Sequence, residues 1–239
     1  MKKIFSTMVA IVCVATVFTG CSKDEDESSS VTINATVEEG TSYNSSIDEV
    51  KAVITDTDTY YTLASGTYSS GSFSLTLPKL VDDSHLTAMD AEYPTEITIS
   101  DKNAKGCGVE FLAYKSGVAV GSFEQSVTSD DSYSTSVAGY IYVDRNTSFS
   151  GTVTETEEVM GIPVSAKTTY DLSLKKGWNV AYIKMNLVVT DTDFSMTLEI
   201  SDTEISGLKW YYTEGAETSS MIQAKSAAFK TMKAKMFSK

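Results

Sequence analysis

Three residue types that build sites or staple small folds are scarce in this chain. Among 239 residues there are three cysteines, three prolines and one histidine. Cys13 lies in the apolar leader and Cys21 at its end, so Cys107 stands alone. An intramolecular disulfide framework and a cysteine-based zinc site are thereby excluded for the body. A lone thiol behaves most often as a small core residue. With His85 as its only histidine, the chain has one candidate for imidazole chemistry, and it sits in an expected loop or helical turn around Asp83 to Met89. No Gly-x-Ser-x-Gly elbow, HExxH pair or phosphate-binding glycine loop occurs. No apolar run reaches the roughly 20 residues that a bilayer crossing needs.

Basic charge is also scarce and unevenly placed. After Cys21 the chain holds all 32 acidic residues against the 19 basic ones less Lys2 and Lys3, a net of −15. The last twenty residues contain Lys225, Lys230, Lys233, Lys235 and Lys239 and no acid. An acidic body argues against nucleic acid and against direct attraction to anionic membranes. It is compatible with bound cations or neutral ligands.

The first thirty residues read as an address. Lys2 and Lys3 precede an apolar stretch, Ile4 to Phe18, interrupted only by Ser6, Thr7 and Thr16. A basic start, a short apolar segment and small residues at its end make an export signal over residues 1–20. Phe18-Thr19-Gly20-Cys21 resembles the lipobox of bacterial lipoproteins. The resemblance implies cleavage before Cys21 and a diacylglycerol on its thiol, with a further acyl chain on the new amino end. Two or three chains give firm anchoring, since each buried CH₂ contributes about 0.8 kcal/mol. Residues 21–30 continue as Lys23-Asp24-Glu25-Asp26-Glu27 and three serines, a solvated tether. That acidic run resembles the surface-export signal of Bacteroidota lipoproteins, which implies an outer-membrane protein facing the exterior.

Residues 31–215 read as strands. Val31, Ile33, Ala35 and Val37 alternate with polar residues, as do Phe73, Leu75 and Leu77, then Tyr170, Leu172 and Leu174, then Phe194, Met196, Leu198 and Ile200. Period two marks half-buried strands. Three polar triplets ending in glycine, at 69–71, 115–117 and 175–177, predict hairpins pairing 60–68 with 72–77, 109–114 with 118–123, and 168–174 with 178–185. The expected fold is all-β: an antiparallel β-sandwich, one large or two small, with any split near Ser126–Ser136. Residues 31–77 resemble transthyretin-like or carboxypeptidase-regulatory-like sandwiches in the opening strand, the Val50–Ile54 strand and Gly66 to Phe73. Those modules are mostly accessory, which implies a non-catalytic role. Leu174 to Asn179 looks like a segment of Bacteroidota surface lipoproteins of unknown function. The tail, residues 216–239, is either disordered or a basic amphipathic helix over Ser219 to Phe237, with Ile222, Phe229, Met232 and Met236 on one stripe.

Two candidate sites follow. Asp56/Asp58 and Asp191/Asp193 each follow a strand in the repeated Val-Ile/Val-Thr-Asp-Thr-Asp pattern, and loops with several acids can supply the six to eight oxygens calcium wants. The bland alternative is ordinary turn chemistry. Trp178, Trp210, Tyr211 and Tyr212 could stack on the apolar faces of sugars, with Tyr60-Tyr61 a further exposed pair. Adjacent tyrosines on a strand put one ring on each face, so core packing alone does not account for them. Two functions compete on this reading. One is a non-catalytic surface module for binding, adhesion or assembly, accessory to glycan capture. The other is a hydrolase that uses paired carboxylates in an acidic cleft.

Overall fold

The computed structural model describes residues 29–56, 59–89, 93–129, 134–159, 162–189 and 194–215. The signal segment, Cys21 and the lysine-rich tail lie outside these. The described chain is nearly all strand: β1 Val31–Thr36, β2 Glu49–Asp56, β3 Thr59–Ser69, β4 Ser72–Leu77, β5 Thr87–Ala88, β6 Thr98–Ile99, β7 Lys105–Lys115, β8 Val118–Thr128, β9 Ser134–Val143, β10 Thr147–Val159, β11 Ile162–Leu174, β12 Gly177–Val189, β13 Phe194–Ser201 and β14 Lys209–Glu214. The all-β expectation holds, and no described helix is long and apolar enough to cross a membrane.

Hydrogen bonding runs continuously through β1-β4-β3-β2-β7-β8-β9-β12-β13-β11-β10-β6, with β14 beside β8 and β5 beside β7. Pairing is antiparallel except between β11 and β13. The first part curls on itself. β3 pairs with β2 along its length and then with β4 at Tyr68 and Ser69, so the sheet folds over. Just past β1, Val37 bridges Trp210 of β14, and Glu38 N donates to Trp210 O at 2.8 Å. Inside lie Ile33, Val50, Phe73, Leu75, Leu77, Phe111, Phe123 and Trp210. Phe73 is the hub, with ring centroids 5.0 Å from Phe123 and 5.4 Å from Trp210. Inward residues alternate with outward serines and threonines, as the period-two pattern requires.

The second part is a broad sheet of longer strands, β9-β12-β13-β11-β10. Near its joint with the curl one face packs Phe149, Leu172, Leu174 and Ala181 against Ile97 and Ile99 from the 93–104 segment. The opposite face meets the curl through Tyr142 and Trp178, whose Nε1 donates to Pro78 O at 2.7 Å. The Ser126–Ser136 stretch joins β8 to β9, and the two strands pair from Gln125/Ala138 to Thr128/Thr135.

The first two turns form where expected, each with two residues, but the pairing expected between 60–68 and 72–77 is confined to Tyr68/Phe73 and Ser69/Ser72, because 59–67 pairs with β2 and β4 pairs with β1; the second hairpin pairs as expected. Ser70 and Gly71 have φ of 53° and 75°, Ser116 and Gly117 of 50° and 80°. Two successive positive φ values define the turn whose twist suits a tight hairpin, and glycine carries the second at no steric cost. The third expected hairpin does not exist. β13 inserts between β11 and β12, parallel to the first and antiparallel to the second. The Lys175–Gly177 link is therefore an arch over the inserted strand. Asn179 holds it, accepting from Lys175 N and donating to the carbonyls of Lys175 and Gly177. The helical turn expected around Asp83 to Met89 is a single 3-10 turn, Asp83–His85, capped by Asp82 Oδ1 accepting from Ser84 N. β5 follows it directly.

Candidate functional site

The aromatic cluster divides between core and surface. On β14 the strand alternation sends Trp210 and Tyr212 inward and Tyr211 outward, with Trp210 6 % and Tyr211 41 % exposed. Tyr212 donates from its hydroxyl to Val120 O at 2.9 Å and packs on Phe123 and Tyr43. Burial, then the charges of Glu214 and Tyr43, push its phenol above the ordinary tyrosine value. Trp178 is a packing residue between the two core regions. Three of the four rings named from sequence are thus structural, and Tyr211 alone stands free for a ligand.

The exposed aromatic pair sits elsewhere. Tyr60 and Tyr61 at the start of β3 are each 44 % exposed. Both line a solvent-open cavity of about 650 Å³, which Thr55 of β2, the Ser84–Thr87 segment, and Gly106, Cys107 and Gly108 of β7 also line. Both line the cavity although they are neighbours on β3, and they stand at the end of the β2–β3 hairpin, where Asp56 pairs with Thr59. His85 stacks on Tyr61, centroids 3.7 Å apart at 24°. His85, expected in a loop or helical turn, ends the 3-10 turn and is half-buried against that tyrosine.

Backbone geometry shapes the floor. A Cβ on Gly106 would meet Met89 Sδ and Tyr142 O, each at 2.7 Å, so β7 passes too closely there for any side chain. Two residues on, a Cβ on Gly108 would meet nothing within 4 Å. The cavity owes its room partly to that missing side chain. Cys107, between them, packs with Ile54, Val81 and Tyr142. Burial pushes its thiol up to about 11, against a weaker downward pull from its hydrogen bond with the Tyr142 backbone. At neutral pH it is a thiol and no nucleophile, in line with the core reading.

Two polar atoms at this junction lack partners. Thr55 Oγ1 and Glu110 Oε2 are buried without a hydrogen bond of good geometry. Burial raises the Glu110 carboxyl above its ordinary value, and the nearby Thr55 hydroxyl offsets only part of this. Glu110 sits where β7 changes partner from β8 to β9: Phe111 faces Phe123 of β8, whereas Val109 faces Tyr140 of β9. The charges near the cavity are already paired. Lys105 Nζ meets Asp83 at 2.8 Å, and Asp144 accepts from Lys105 N at 2.8 Å and from Arg145 Nη2 at 2.9 Å. Burial pushes Asp144 up, but the hydrogen bonds from Arg145 and Lys105 outweigh it and hold the carboxyl below its usual range.

None of the described residues lining the cavity is an acid. Of the four calcium candidates, Asp56 ends β2, while Asp58, Asp191 and Asp193 lie outside the described residues. Among the described residues no three of His, Cys, Asp and Glu gather closely enough to hold a metal. Sequence reasoning missed the cavity because its lining comes from five separated segments. The signal within reach was Tyr60-Tyr61 directly after a strand, paired with the solitary histidine. No protein-family description, curated protein or solved structure matches this chain.

Proposed function

We propose that the chain is a lipid-anchored capture protein, held through Cys21 on the outer face of an outer membrane, which takes glycan in the Tyr60/Tyr61 cavity without chemical change. One observation carries the reading: two half-exposed tyrosines frame a 650 Å³ cavity. Its described lining offers rings, hydroxyls and backbone but no carboxylate. Sugars present apolar ring faces and hydroxyl edges together. Tyrosine faces accept the former, and hydroxyls among the lining residues, such as those of Tyr60, Tyr61 and Ser84, suit the latter. The address supports where such capture would happen, through the lipobox resemblance at Phe18 to Cys21 and the acidic run at Asp24 to Glu27.

The rival class, a carboxylate-dependent hydrolase, needs two acids at a set separation flanking a bound substrate. The nearest acid with a raised pKa, Glu110, does not line the cavity. The test is retention on a panel of immobilised polysaccharides, with and without calcium. It compares the unaltered chain with Tyr60→Ala/Tyr61→Ala and with Tyr211→Ala. Retention lost in the first variant and kept in the second places capture at the cavity. Loss only in Tyr211→Ala moves it to β14. Shortened glycan in the flow-through reveals a hydrolase instead.

A further inference from the structure

His85, the single histidine of the chain, lines the cavity. The segment that carries it is fastened on both sides. Before it, Asp82 Oδ1 accepts from Ser84 N at 2.9 Å and from Ser84 Oγ at 2.6 Å, which closes the 3-10 turn. Both carboxylate oxygens of Asp83 accept from Lys105 Nζ, at 2.9 and 2.8 Å. After it, Thr87 and Ala88 pair with Gly106 and Lys105, and Met89 N donates to Ala104 O at 2.9 Å. The segment is a strap tied along β7, and from it the imidazole reaches across to Tyr61 of β3. Tyr61 is seated in turn by pairing with Ile54 of β2. The two rings lie 3.7 Å apart and 24° from parallel.

Stacking fixes the plane of an imidazole and leaves its hydrogen bonding unused, because both ring nitrogens bond within that plane. Among the described residues neither nitrogen of His85 has a hydrogen-bond or ion-pair partner; its contacts are the ring stack and the bond from its backbone N–H to Asp82 O. The carboxylates beside it on the strap are engaged elsewhere, Asp82 with Ser84 and Asp83 with Lys105. Among the described lining residues His85 is also the one side chain that carries nitrogen; the rest present hydroxyls, sulfur and apolar groups. A neutral imidazole offers one donor and one acceptor, and a sugar hydroxyl answers either. A group already held in place loses little freedom when it binds, so its bond counts nearly in full. We propose that His85 orients the glycan in this cavity: held flat on Tyr61, it hydrogen-bonds a sugar hydroxyl through its in-plane nitrogens. The inference rests on the capture reading above and names the polar contact that reading lacks.

Two variants of the full-length chain separate contact from bracing on immobilised amylopectin, mixed-linkage β-glucan, mannan and xylan. His85→Phe keeps a flat ring on Tyr61 and removes the nitrogens, whereas His85→Ala removes both. Each should be retained about tenfold more weakly than the unaltered chain, the loss of one hydrogen bond. Thermal melts of both should stay within a few degrees of it. A second readout needs no variant. One histidine gives one pair of ring-nitrogen resonances, so they are assigned without ambiguity. The soluble form of the retained polysaccharide should shift at least one of them. Full retention by His85→Phe beside loss in His85→Ala reduces the residue to a brace and overturns the proposal. Nitrogen resonances unmoved at saturating polysaccharide overturn it as well, and both results leave the capture reading standing. If none of the four polysaccharides retains the unaltered chain, the capture reading itself fails and takes this inference with it.

Discussion

The curl and the broad sheet are built from the same alternating strands, yet one closes and the other stays open. In the curl, short strands fold over at β3 and meet again at Val37 and Trp210, so each inward residue finds a partner across the interior. Val50, Ala52 and Leu77 are wholly buried there. In the broad sheet the strands run to 13 residues and cross the joint into solvent, and none of the described residues from Tyr182 to Val188 is buried. Alternation therefore fixes which face is apolar, and curvature decides whether that face gets covered.

That contrast breaks most visibly under large-to-small substitution. Phe73→Ala should destabilise by about 3–5 kcal/mol, since it empties the hub of a closed core. Met185→Ala, on the open face, should cost under about 1 kcal/mol. Urea unfolding of both variants checks the difference, and equal costs would erase the distinction. A smaller effect is expected at the seam. Trp178→Phe keeps the packing and loses the bond from Nε1 to Pro78 O, leaving that carbonyl unpaired at a cost of about 1–2 kcal/mol.

Glu110 sharpens the comparison through pH, because it is buried where the curl meets the broad sheet. Its carboxyl pKa is raised on folding, so the folded state holds the proton more tightly than the unfolded state does. Its contribution is complete below the ordinary carboxylate value of 4.5 and is lost as pH rises from there through the raised value. Glu110→Gln should flatten that fall in thermal melts taken across the window. The smallest effect concerns Cys107. With its thiol at about 11, alkylation near pH 7.5 should be slow in the folded chain and fast after unfolding, as mass spectrometry of a time course would record.

Much of this architecture was legible in the residues. Period-two runs located the strands, and Ser-Gly pairs located two tight turns, because those signals are local. The Leu174–Gly177 link carried the same local signal and misled, since a glycine after two lysines suits a hairpin and an arch equally. Only the parallel pairing of β13 with β11, more than twenty residues apart, decides between them. The aromatic site failed for the same reason. Trp210 looked like a surface ring until β1 closed over it, whereas Tyr60 and Tyr61 became a rim only when Ser84 to Thr87 and Gly106 to Gly108 arrived beside them. Strand faces are written locally, and cavities are assembled from distant segments.

The central claim is that the open space above Gly108 is a binding site. Since a Cβ there meets nothing within 4 Å, Gly108→Val should project a side chain into the cavity and obstruct its floor with little loss of stability. The decisive measurement is glycan retention by the full-length chain beside its Gly108→Val variant, with thermal melts in parallel. Retention at least tenfold weaker in a variant that melts within a few degrees of the unaltered chain is the predicted result. Equal retention by both would show that whatever this protein captures, it does not capture it there.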